Sequence, residues 1–164
     1  MIAICTHLMQ DRARCDALLA QTCADIGAMA WSSALRSMAA TSHALARHLQ
    51  LEEQFLFAPY DALMEGGRAA TAALRAEHER VSAALTALEQ AAASHQRDMF
   101  VCQADALRSL LAHHHLKEAD AFYPLVARVL KARTALANAP QSSPSSPPRS
   151  GQEAGTHSAS SLTE

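Results

Sequence analysis

A chain of 164 residues that ends in a Ser/Pro-rich stretch has room for one compact domain and no second core. Its apolar share of 49% is dominated by Ala and Leu, with aromatic residues at 4% and few β-branched runs, a composition that favours helices packed on helices. A formal net charge of −2 with scattered Arg residues gives no field that attracts nucleic acid or an anionic membrane, so neither is an expected partner.

Helical spacing runs through four segments, roughly 3–26, 31–57, 68–94 and 98–134, which predicts an all-α, antiparallel up-down four-helix bundle over residues 1–136. The first ten residues, MIAICTHLMQ, lack a basic region, a sustained apolar run and a cleavage signature, and no later stretch reaches transmembrane length. A cytoplasmic location is the expectation. Cys5, Cys15, Cys23 and Cys102 form no CxxC pair and are expected as reduced, mostly buried thiols.

In the first segment the inward stripe is Cys5, Leu8, Arg12, Cys15, Leu19, Thr22, Ile26, and Gly27 interrupts it. In the second it is Trp31, Ala34, Met38, Thr41, Leu45, His48, Glu52, Phe55, ended by Pro59 and by Gly66 with Gly67. The third carries Leu74, His78, Val81, Leu85 and Leu88. The fourth, with Asp98 as the expected N-cap, carries Leu107, Leu111, His114, Glu118, Phe122, Leu125 and Val129. Residues 137–164 hold four of the six prolines and one large apolar residue, Leu162; such a segment cannot offset its ordering entropy and is expected to be a disordered tail.

Three helices thus aim ligand-type side chains inward. With 16 acids among 164 residues, roughly one of the nine histidines would have a carboxylate four positions on by chance. Three do: His7, His48 and His114. The pairs His48/Glu52 and His114/Glu118 both lie on core stripes, where an unpaired carboxylate is expensive and a divalent or trivalent cation is the fitting partner. Of His113, His114 and His115 only His114 has an acid at i+4, so register selects it; His43, His95 and His157 receive no role. The competing interpretation is a set of satisfied core histidines or a solvated face.

The motifs RHLQLEEQFLFAP (Arg47 to Pro59), LRAEHERV (Leu74 to Val81) and HHLKEADAFYPLVARVL (His114 to Leu130) resemble those of the bacterial hemerythrin-like, HHE cation-binding family, over roughly residues 8–131. The resemblance implies a non-haem iron site of one or two ions, with His48, His78 and His114 as nitrogen ligands and Glu52 and Glu118 as carboxylate bridges. It also implies handling of dioxygen, nitric oxide or peroxide. No Glu-x-x-His pair occurs, which argues against a ferritin-like site.

DRARCDALL (Asp11 to Leu19) departs from the family's first motif, with Arg12 where the ligand His is expected. His7 lies five residues earlier, about 140° round the helix and about 7.5 Å along its axis, and is a poor substitute. Arg12 cannot become a ligand but can fork onto a carboxylate, which predicts one strong metal position around His78 and His114. His78 has Ser82 at i+4, so nitrogen ligands are fewer than in the family's oxygen carriers; this favours sensing, iron handling or peroxide chemistry over oxygen storage. Three classes fit the sequence: a gas or redox-binding module, an enzyme acting on peroxide or nitric oxide or donating iron for cluster repair, and a bundle that has lost metal and become an interaction protein. The protein partner in that last case is not specified by any motif.

Overall fold

The computed structural model describes residues 2–137; the expected tail lies outside them from residue 138. Four helices and no strand occur among the described residues. The first helix is Ile2–Gly27. The second runs Trp31–Glu52, passes through a π-helical turn at Glu53–Phe57 and continues over Ala58–Leu63. The third is Gly67–Ala93. The fourth runs Arg97–Lys117, makes a π-helical turn at Glu118–Phe122 and continues over Tyr123–Ala137. The first helix packs chiefly on the second, and the third on the fourth.

The two π turns decide the register near the site. Proline has no N–H and its ring collides with the carbonyl four residues back, so an α-helix cannot run undisturbed through Pro59 or Pro124. Instead of ending, as expected at Pro59, each helix takes in one extra residue just before its proline. Ala58 N–H then bonds Glu53 O, and Tyr123 N–H bonds Glu118 O, both five residues back. The extra residue rotates everything downstream. Phe55, expected in the core, is 44% exposed while Leu56 and Phe57 are buried, and Leu125 likewise gives its place to Val126.

The buried apolar residues form two clusters with a polar layer between them. One contains Cys15, Leu19, Leu45, Leu49, Val81 and Leu111; the other contains Leu8, Leu56, Phe57, Leu74, Phe122 and Val126. In every helix the sequence between the two clusters holds the charged or imidazole residues: Asp11 and Arg12, His48 and Glu52, Glu77 and His78, His114 and Glu118.

The turns also differ from expectation. Gly27 is the last helical residue, whereas Met29 takes the left-handed conformation at φ 56, with Met29 N–H on Ile26 O and Ala30 N–H on Asp25 O. Because Met29 is 66% exposed, Met29→Gly removes strain without removing packing and is expected to stabilise by about 1 kcal/mol, read as a higher urea midpoint at unchanged slope. His95 makes the equivalent turn at φ 55 and stacks on Trp31 at 4.5 Å. The fourth helix is capped by Gln96 without a side-chain bond; Asp98 lies in its first turn, where a negative charge suits the helix dipole. All four cysteines are free, but only Cys15 is buried, because Cys5 and Cys23 sit at the edges of their stripe and Cys102 faces outward. Burial, aided by Asp11 and Asp16, pushes the Cys15 thiol up to about 12, so it is an inert packing residue.

Candidate metal centre

The polar layer places His48, Glu52, His114 and Glu118 at no more than 1% exposure, with His78 also buried. Ligand atoms of Glu52, His78, His114 and Glu118 all lie within 4.8 Å of one another. Glu52 is the centre. Its Oε2 is 3.4 Å from His78 Nε2 and 3.7 Å from His114 Nε2, and its Oε1 is 3.2 Å from His48 Nε2. Glu118 Oε1 is 3.3 Å from His114 Nε2. His48 therefore stands on the other side of the Glu52 carboxylate from His78 and His114.

Each of the three imidazoles has its other nitrogen held by a carboxylate. His48 Nδ1 faces Asp11 Oδ2 at 3.3 Å, His78 Nδ1 faces Glu53 Oε1 at 2.8 Å, and His114 Nδ1 faces Glu77 Oε2 at 3.0 Å. A carboxylate accepts, so each ring donates through Nδ1 and turns Nε2 toward the centre. That is the arrangement by which proteins fix imidazole ligands on a metal. The carboxylates are held in turn: Arg75 bonds Glu53 at 3.2 Å and Asp61 at 2.9 Å, and Lys117 pairs with Glu77. Phe57, brought inward by the π turn, stacks on His78 at 5.1 Å, and Arg75 lies over the same ring at 5.2 Å from its centroid.

The facing atoms make no hydrogen bonds among themselves. His48 Nε2, His78 Nε2, His114 Nε2, Glu52 Oε2 and Glu118 Oε1 are all buried without a partner among the described residues. Five buried polar atoms that converge without bonding would be costly as a finished core. They suit a cation: borderline nitrogen donors and hard carboxylate oxygens together match iron, zinc or manganese. The electrostatics agree. Burial opposes ionisation of Glu52, but His114, His48 and His78 outweigh it and hold this carboxyl well below its usual range. Burial and the neighbouring Glu52 push Glu118 up, against the pull of His114. Two acids that resist ionising together are the natural seat of a positive ion.

The family model for the hemerythrin HHE cation-binding domain matches residues 6–134. The chain belongs to this family. No curated protein and no solved structure matches it. The buried His/Glu cluster of this HHE domain fits a metal-binding site.

Several residues of the layer were not singled out from the sequence. Glu77 and Glu53 adjoin chosen residues in sequence yet serve rings on other helices, and Asp11 reaches His48 across 37 positions. Tyr123 donates its hydroxyl to Glu52 Oε1 at 2.8 Å and lies 3.4 Å from Glu118 Oε2. Tyr123 also lines an outer groove of about 1170 Å³, so it touches both that groove and the two carboxylates. His115, set aside by the i+4 criterion, is buried beside His48 and His114. His7 is exposed, and Arg12 makes no ion pair among the described residues, so the fork onto a cluster carboxylate expected from the sequence is not formed. Arg12 instead lines a cavity of about 260 Å³ together with Asp16, Arg108 and His115.

Proposed function

We propose that this HHE domain is a non-haem iron protein that binds or senses a small ligand, dioxygen, nitric oxide or peroxide, at a core site held by His48, Glu52, His78, His114 and Glu118. The observation that carries this reading is the three-fold repetition of one device: Nδ1 on a carboxylate, Nε2 bare and inward. Glu52, His78, His114 and Glu118 hold the primary position, and His48 extends the set through the second oxygen of Glu52. Iron held by these residues would supply the redox and ligand-binding chemistry for a diatomic or peroxide ligand. The apolar clusters above and below limit water and tune the site's potential. The alternation of these clusters along successive helices supports the antiparallel up-down arrangement.

The protein's own residues set the pH dependence. Burial disfavours a charge on His114, but Glu118 and Glu52 outweigh it and push this imidazole up to about 10. His48 is raised as well, with Glu52 prevailing over burial. At neutral pH the metal-free layer holds these protons, and an entering ion must displace them. Affinity is therefore expected to fall as pH falls, about tenfold per pH unit for each proton displaced.

The test is anaerobic titration with ferrous iron at about pH 6 and about pH 8, followed by exposure to air. Iron retained through desalting, with proton release, tighter uptake at the higher pH and new near-ultraviolet charge-transfer absorption in air, is the expected result. No retention at either pH would leave a metal-free helical bundle that serves as an interaction protein.

A further inference from the structure

The carboxylates of Glu52 and Glu118 each present one bare oxygen: Glu52 Oε2 and Glu118 Oε1 are buried without a hydrogen-bond partner among the described residues. Glu52 Oε2 faces His78 and His114, and Glu118 Oε1 faces His114. The other oxygen of each carboxylate meets a single group, the hydroxyl of Tyr123, at 2.8 Å from Glu52 Oε1 and 3.4 Å from Glu118 Oε2. A phenol carries one proton and a carboxylate only accepts, so the proton goes to the shorter contact and Glu52 Oε1 is the oxygen that is tied. The last torsion of a glutamate is broad, and an untied carboxylate can present either oxygen. With Oε1 on Tyr123, Oε2 is the one left for His78 and His114, while Oε1 keeps a lone pair on the side of His48 at 3.2 Å.

The π turn brings Tyr123 to this point. Five residues along an unbroken α-helix would turn its side chain about 140° away from that of Glu118. The bond from Tyr123 N–H to Glu118 O closes the wider turn within those five residues and returns Tyr123 to the face that carries Glu118. We propose that Tyr123 is a positioning residue of the metal centre, whose hydroxyl selects the oxygen that Glu52 presents to a bound ion and, through its longer contact, the one that Glu118 presents. This rests on the reading of the layer as a metal centre. The ring itself lines the outer groove beside Pro124 and Leu130, so a phenylalanine keeps that packing and removes only the hydroxyl.

Cobalt(II) titration of the full chain and of Tyr123→Phe tests it, because the visible bands of cobalt report the arrangement of its ligands, with no activity needed. The variant is expected to keep its helical circular dichroism, to bind cobalt more weakly by on the order of tenfold to a hundredfold, and to show altered bands. The bands decide the matter. A hydroxyl that merely pinned two helices together would lower the urea midpoint of the metal-free chain and leave them as they were. Unchanged bands in Tyr123→Phe, whatever happens to affinity or midpoint, would therefore overturn the role of Tyr123 while leaving the metal centre intact. Loss of the helical signal in the variant would also overturn it, since the hydroxyl would then be needed for the fold itself. No cobalt bound by the unaltered chain would overturn the metal centre, and this inference with it.

Discussion

Glu52→Ala is expected to abolish metal retention and to destabilise the metal-free protein by about 3–5 kcal/mol, the effect of removing one partner from a buried ionic group. Glu52 is fully buried, and among the described residues no other carboxylate faces His48, His78 and His114 together. Without it, His48 loses the main charge that favours its protonation and His114 keeps only Glu118 and Glu77, and a void opens in the layer. On the metal side, one of the four converging ligands disappears and the link to His48 goes with it, a loss on the order of a hundredfold or more in affinity. The stability term has a sign that can be checked. A carboxyl held below its usual range stabilises the fold above the unfolded value and loses that contribution as pH falls, so the two proteins' urea midpoints should converge toward acid pH. Glu52→Gln keeps the volume and an acceptor, and is expected to recover part of the stability and none of the metal. Equal midpoints for Glu52→Ala and the unaltered chain at neutral pH would show that the layer does not hold the helices together.

The second large effect is that of the ion itself. Metal that binds only the folded chain stabilises it by about 4 kcal/mol when present at a thousandfold over its Kd. At about 2–4 °C per kcal/mol for a chain of this size, chelation is expected to lower the melting temperature by roughly 8–16 °C. The physical reason is that the layer joins all four helices: Asp11, His48 and Glu52, Glu77 and His78, and His114 and Glu118 come one group from each. An ion at the centre ties the second, third and fourth helices directly, and the first through Asp11 on His48. The measurement is a thermal melt by circular dichroism with ferrous iron under anaerobic conditions, before and after chelator. Coincident melts would mean that the bundle folds without reference to the layer.

The stripe logic anticipated the helices and the level of the site because a helix repeats every 3.6 residues, and an imidazole or carboxylate on a core stripe stands out against Ala and Leu. It failed after each glutamate. Phe55 and Leu125 were expected inside on unbroken α spacing, yet the prolines at positions 59 and 124 are visible in the sequence and carry the signal of the π turns that move them out. Periodicity also passed over His115, since an i+4 acid marks a partner on the same helix and says nothing about one across the bundle.

The sequence by itself determined four amphipathic helices, their family, and five inward-pointing imidazole and carboxylate groups, because burial periodicity and side-chain chemistry are local properties of a chain. Only the tertiary structure decided which carboxylate orients which ring, that Tyr123 touches Glu52, and that His115 is buried beside His48. Those pairings join residues 25 to 71 positions apart or set one ring against another across helices. Their geometry depends on how the helices are rotated against one another, which packing of the two apolar clusters fixes and no local spacing encodes.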